Sequence, residues 1–500
     1  MTSAARLTDE ALRDIQGVIT SGYGHLPFAA YLFVTITDAD DGRQWLSRIA
    51  GSVTSSHRRG NGHSAPEDRP PAAVNIGITA SGLRAVGLPD EVLRTFPVEF
   101  QDGIASDERS RILGDSGTSA PETWEIGGPR TEPAHALLML FAADEATLAE
   151  MCRTHRALLA SSGGAVELRG GFQRGFRPDT FAEPFGFHDG IAQPSIAGLS
   201  GHGVPTGEFI LGYDNHYGLM PPTPVVPREM NAAPALPPLD SPYHAGKQLG
   251  DLGRNGSYLV YRKLQQDVAG FWQFMAREAT RDGGADAARM VWLASKCVGR
   301  WPSGAPLMLA PDADNPGLAD RDDFFYADDL DGLRCPLGSH IRRTNPRDVL
   351  KPYPREQSLS MTEAHRLLRR GRAYGAPLFD ASVLRHTPDA ELFKMLANLQ
   401  DDGHPRGVHF FCVNASLKSQ FEFVQQAWCN NPRFGGLNDN VDPLTSSPCP
   451  PDSPSRMTIP RQDGALRTNP LPQFVTVRAG AYMFLPSLTA LRFLGSRLPR

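Results

Sequence analysis

"HALLMLFAADEATLAEMCRTHRALLAS", residues 135–161, changes period halfway along. Its first part is an unbroken apolar run, the pattern of a buried strand. Its second part repeats apolar residues at helical spacing, the pattern of an amphipathic helix. A further strand, AVELRGGF (165–172), follows. Upstream, AAYLFVTIT (29–37) is rich in β-branched and aromatic residues and reads as a strand, and GRQWLSRIAGSV (42–53) reads as a helix. PAAVNIGITASGLRAVGL (71–88) gives a strand and the start of a helix. Strand–helix–strand, taken twice, is the ferredoxin-like order, an α+β class with antiparallel sheets.

The C-terminal half has the same style. SYLVYRKLQ (257–265) reads as a strand, and DVAGFWQFMAREATR (267–281) and ADAARMVWLASKCVG (285–299) read as helices. GVHFFCVNASLKSQFEFVQQAW (407–428) predicts a strand and then a helix. QFVTVRAGAYMFLPSLTALRFLG (473–495) predicts two strands around Ala479-Gly480 and a helix opened by Pro486 near its first turn. Between the halves, 214–256 is loop-like. MPPTPVVPREMNAAPALPPLDSP (220–242) is too dense in proline for regular structure. Residues 54–70 form a second polar loop.

Bulk properties narrow the function. The chain has 500 residues, with 49 glycines and 43 prolines, so much of it is turn and loop. A chain this long buries a large core and has room for a cofactor. A net charge of −5 argues against a general nucleic-acid binder. No apolar run approaches the ~18 residues that span a bilayer. MTSAARLTDEALRDIQ has neither a basic nor an apolar leader region, so a cytoplasmic location is expected. The six cysteines are scattered, without Cys-x-x-Cys or Cys-x-x-Cys-His, and read as free buried thiols; zinc ribbons and covalently attached haem lose support. Phosphate-binding, dinucleotide, zincin and α/β-hydrolase motifs are all missing.

Three stretches stand out. EPFGFHDGIAQPSIAG (183–198) places one carboxylate, Asp189, among glycines and apolar residues. CPLGSHIRRTNPRDV (335–349) contains His340, and HRLLRRGRAYG (365–375) contains Arg369. Singly, each has an ordinary reading: an Asp that caps a turn, a structural histidine, a solvated basic patch. Asp189 is either a turn residue or a handler of protons.

Together, in this order, and with NASLKSQFEFVQQAW (414–428) and VTVRAGAYMFLPSLTALRFL (475–494), the three stretches resemble the dye-decolorizing peroxidase family, in its longer fungal and cyanobacterial-type branch. The resemblance runs from about residue 24 to 495. It implies two ferredoxin-like domains: an N-terminal extension (1–24), a domain over 25–198 carrying the distal Asp, and a domain over 199–500 that holds one non-covalent haem b, with the Pro-rich loop at 214–256. The implied activity is reduction of hydrogen peroxide and oxidation of dyes, phenols or aromatic amines, with no nucleic-acid or membrane partner.

The family's axial iron ligand falls on His340, its distal acid on Asp189 and its distal arginine on Arg369. An aspartate that takes and returns one proton serves both ends of peroxide cleavage, and the cation stabilises developing negative charge. Ordinary Asp titrates near ~3.9, which implies acid working pH. His188 is the weaker candidate for base. Asp439 and Asp442 are the candidates to accept a bond from His340. Arg347 matches a family arginine near the haem edge, and Phe410, on the same strand face as Val408, supplies an apolar wall. Arg342 and Arg343 are either further haem-edge cations or surface salt bridges. Tyr374 is a candidate surface site for oxidising bulky dyes, with Trp428 as an alternative exit. RRGRAYG departs from the family at Ala373, where proline is common. The competing readings are a haem carrier or iron-releasing protein, which needs neither Asp189 nor Arg369, and a metal-free binding protein.

Overall fold

A computed structural model describes residues 6–58, 69–231, 235–239, 248–281, 286–350, 352–385, 389–446 and 455–496. Strand β1 (Phe28–Ile36) is buried almost throughout, as its apolar run FAAYLFVTI requires. The helix Ala39–Ala50 follows at once, because the Asp38 carboxylate accepts from the N–H groups of Asp40 and Asp41 at 2.9 and 3.0 Å. Then come β2 (Ala72–Ile78), β3 (Ala136–Ala142), the helix Glu145–Ala160 capped by Asp144, and β4 (Ala165–Phe176). The strands lie in the order β2-β3-β1-β4, all antiparallel.

The Pro-rich connector is not wholly irregular. Its β5 (Val225–Pro227) pairs with β6 (Leu249–Asp251). Pro227 is tolerated because this two-stranded ribbon leaves edges that need no N–H donor. Much of the rest of the connector, like most of the polar loop at 54–70, lies outside the described residues.

The C-terminal half begins with β7 (Ser257–Gln266) and the helices Val268–Arg281 and Ala287–Val298. Two short strands follow, β8 (Leu368–Arg369) and β9 (Arg372–Tyr374), then β10 (Gly407–Asn414). A hairpin of β11 (Thr458–Arg461) and β12 (Gly464–Arg467) precedes β13 (Val475–Leu485). The order is β13-β7-β10, with β8 and β9 on the far side of β10. Both halves thus place their last strand beside their first and their second beside their third, the ferredoxin-like arrangement.

Two seams join the halves. Phe484 of β13 lies opposite Ile78 of β2, and Phe176 of β4 lies opposite Ala373 of β9. With the β7–β10 pairing, the sheet closes into an antiparallel barrel. Tyr31, Phe33, Phe141, Tyr261 and Phe411 fill its interior. The helices pack outside, and Phe185 and Phe187 join the helices Val268–Arg281 and Ala287–Val298 in a separate apolar cluster.

Two expectations are corrected. Residues 473–485 are one strand, not two: a register shift between Val477 and Ala479 absorbs the irregularity at Ala479-Gly480. Pro486 lies one residue before the cap of the last helix, Leu488–Leu494, where Ser487 Oγ accepts from Ala490 N at 3.1 Å. The helix expected after β10 is of the rare π type, over Lys418–Glu422 and Val424–Cys429. Five cysteines are buried and free; Cys449 lies outside the described residues. Among the described residues no helix is long and apolar enough to cross a membrane.

Candidate active site

A cavity of about 290 Å³ lies against the outer face of β7 and β10, and its lining includes Asp189, His340, Arg347, Arg369, Val408 and Phe410. Alternation along β10 explains the wall: Val408 and Phe410 face the cavity, and His409 points into the barrel and is fully buried. The π-helix contributes Phe421 and Val424.

His340 opens the short helix His340–Thr344. Its Nδ1 donates to Asp442 Oδ2 at 2.8 Å, which leaves Nε2 as the nitrogen available to the cavity. Asp442 Oδ1 accepts from the N–H groups of Leu444 and Thr445, both at 2.9 Å. Burial alone would raise this carboxyl; the facing imidazole and the two N–H groups instead hold it at about 2. Of the two acceptors weighed from sequence, Asp442 makes the bond. Asp439 pairs with Arg467.

The Asp189 stretch reaches the same space. Asp189 N donates to Phe181 O at 2.8 Å, and the turn is made by Gly186 and Gly190, at φ 100° and 88°. Arg369 Nη1 donates to Asp189 Oδ1 at 3.3 Å, and Nη2 to Ile191 O at 2.9 Å. Both side chains are accessible, 45% for Asp189 and 34% for Arg369. His188 also lines the cavity, and its Nδ1 is engaged, donating to Ser303 O at 3.1 Å.

Glu183 is a cavity residue that sequence reasoning passed over, although it opens the same stretch. Its carboxylate accepts from the N–H groups of Phe185 and Phe187 at 3.0 Å and from Gln266 Nε2 at 2.6 Å. Burial, reinforced by Asp189 against those bonds, pushes it up to about 7.

Besides Arg369 and Arg262, Arg300, Arg347 and Arg366 stand on the cavity wall. Arg347 pairs with the Asp322 carboxylate and donates to the carbonyls of Asp322 and Phe324, both at 2.8 Å. Arg300 shares Asp322 at 3.2 Å. Arg366, also missed, donates to Ala192 O at 3.4 Å, and burial lowers its pKa, with Arg347 adding to the effect. Its position inside HRLLRRGR was the available signal.

Other expectations are corrected here. Arg342 and Arg343 are neither haem-edge cations nor surface groups. They are 1% and 0% exposed. Arg342 binds Asp329 at 3.0 Å and Cys335 O at 2.6 Å; Arg343 binds the carbonyls of Gly338, Trp428, Asn431 and Asn440. The RRGR run is likewise not solvated, since Arg370 and Arg372 are buried and clamp the carbonyls of residues 18, 19 and 22. Tyr374 is not a surface tyrosine. It is 7% exposed and packs on His409 inside the barrel, because β9 forms a seam rather than an outer turn. Trp428 is buried among His365, Phe423 and Phe434.

Residues 14–174 match the family described as the DyP dimeric alpha+beta barrel domain. A dye-decolorizing peroxidase of Exidia glandulosa is 29% identical over 501 residues, covering 96% of this chain and 86% of its own length. The multifunctional dye peroxidase of an Amycolatopsis species is 28% identical over 473 residues, covering 93% and 91%. A dye-decolorizing peroxidase solved with 2,6-dimethoxyphenol superposes with a TM-score of 0.74 at 25% identity, covering 97% of this chain and 99% of that one. Over nearly its whole length the chain is similar to dye-decolorizing peroxidases, and it is an enzyme, a peroxidase.

Peroxidases of this family are haem enzymes, and the residues present fit that group. The cavity offers the His340 imidazole with its Nδ1 held by a buried carboxylate, apolar walls on β10 and the π-helix, the cations Arg300 and Arg347, which share the Asp322 carboxylate, and the cation Arg366. Forked cations suit propionate carboxylates.

Proposed function

We propose that this cavity holds one non-covalent haem b, whose iron His340 would bind, and that the protein reduces hydrogen peroxide while oxidising phenols, aromatic amines or dyes. The observation that carries the reading is that two prepared pairs, His340–Asp442 at 2.8 Å and Arg369–Asp189 at 3.3 Å, line one cavity. Bound there, haem would supply the iron at which peroxide is reduced. Asp442 fixes the His340 tautomer and makes the ring a better electron donor. Asp189 takes the first peroxide proton and returns it to the departing oxygen. Arg369, oriented by the Ile191 carbonyl, keeps a cation where negative charge develops. Arg347 and Arg366 are the cations for the propionates, and Phe410 and Val408 keep the wall dry. A carrier would need neither Asp189 nor Arg369.

The test is a haem spectrum with a peroxide titration. The purified protein is expected to show a Soret band, and peroxide is expected to drive oxidation of 2,6-dimethoxyphenol and of an anthraquinone dye. A Soret band without peroxide-driven oxidation in the wild type would leave a carrier instead.

A further inference from the structure

The barrel interior behind the cavity wall holds a phenol–imidazole pair that the proposed chemistry leaves unused. Tyr261 of β7 and His409 of β10 are both fully buried and diagonal on the inner face: His409 pairs with Lys263 and Phe411 with Tyr261. His409 Nε2 lies 3.1 Å from Arg174 O, so Nε2 carries the ring hydrogen. Nδ1 therefore presents a lone pair, and the Tyr261 hydroxyl, 3.2 Å away, donates to it.

Resting on the haem peroxidase reading above, we infer that Tyr261 and His409 form a proton-coupled redox site that takes one oxidising equivalent from the peroxide-oxidised haem when no external reductant is present. One electron leaves the Tyr261 phenol for the haem. The phenolic proton moves to His409 Nδ1, leaving a neutral phenoxyl beside an imidazolium whose Nε2–H stays on the Arg174 carbonyl. An electron from an external phenol and return of that proton restore the pair.

Three observations single out this pair. The first is position. Arg262 and Leu264 on β7 and Val408 and Phe410 on β10 line the cavity, so Tyr261 and His409, on the opposite face, are separated from it by the thickness of one sheet. The second is the base. Tyr31 and Tyr374, whose rings lie 5.1 and 4.8 Å from His409, have hydroxyls without an acceptor among the described residues. Tyr482 donates to Glu422 at 2.9 Å, but Arg109 pairs with that carboxylate at 3.1 Å, so a proton arriving there would cost an existing ion pair. The third is availability. Burial, helped by the Lys263 ammonium, pushes the His409 imidazole down to about 3. It stays neutral at acid pH, where an ordinary histidine would already be protonated.

The test uses the haem-loaded protein, given one equivalent of peroxide without reductant, freeze-quenched and read by electron paramagnetic resonance. The expected result is a tyrosyl signal, narrowed by ring-deuterated tyrosine, that falls about tenfold or more in both Tyr261→Phe and His409→Gln and persists in Tyr482→Phe. Haem content and Soret position should match the wild type. Full amplitude in Tyr261→Phe, or loss only in Tyr482→Phe, overturns the inference. If Tyr261→Phe fails to hold haem, His409→Gln decides, and full amplitude there overturns it. A wild-type Soret band that ignores peroxide removes the peroxidase reading along with this one. A band that responds, with the radical unaltered in Tyr261→Phe, removes this one alone.

Discussion

Asp189 and His340 each depend on one partner for what they can do. Asp189→Asn removes the proton acceptor and Arg369→Leu removes the cation. Both variants are expected to keep haem and to react with peroxide ~10²–10³-fold more slowly, measured by stopped flow. Loss only in Arg369→Leu would make Asp189 a turn residue. His340→Ala is expected to lower haem occupancy, and Asp442→Asn to weaken haem affinity by ~10–100-fold, since outer partners of a ligating histidine commonly carry that much. Unchanged occupancy and Soret position in His340→Ala would remove the ligand assignment. Which acid holds His340 was not legible in GLNDNVDPL. Asp439 and Asp442 lie three apart on one irregular segment, and only tertiary folding turns one to His340 and the other to Arg467.

Elements with strong local periodicity were legible. The run at 135–161 is β3 followed by the helix Glu145–Ala160, within a residue or two of the reading. What escaped were elements fixed by distant partners. Strands β8 and β9 total five residues, too few to show a period, and exist because β10 and β4 pair with them. Tyr374 was therefore read as a turn-side tyrosine, and Arg370 and Arg372 as solvated cations. The stretch 183–190 shows how local chemistry and long-range contact combine. Gly186 sits at φ 100°, and an added Cβ would meet Leu384 Cδ1 at 2.4 Å. Gly186→Ala is expected to cost ~1–3 kcal/mol by strain and overpacking. It should lower Tm and slow peroxide reaction together, because the same turn aims Asp189. Normal peroxide kinetics in a destabilised Gly186→Ala would separate the turn from the acid.

At the scale of the whole molecule, barrel closure sets the conditions under which the protein works. Closing two ferredoxin-like halves edge to edge leaves the outer face of β7 and β10 as cavity wall, and segments packed around the barrel bury carboxylates. Glu183 and Glu208 are both pushed up from the ordinary 4.5 to about 7, chiefly by burial. For such groups the folded state binds a proton more tightly than the unfolded chain. Their contribution to stability is fully present below about 4.5 and is lost as pH rises through about 7. Tm is therefore expected to fall between these limits, and the double variant Glu183→Gln, Glu208→Gln should flatten the slope. Activity is expected to peak on the same acid side, roughly pH 3–6, because the proton acceptor is a carboxylate, a weaker base than an imidazole. Scanning calorimetry and a pH–rate profile on the same preparation check both. A Tm that rises across the window would show that the two carboxylates do not control acid stability, and an optimum above neutrality would replace Asp189 as the base by a histidine, His188 first.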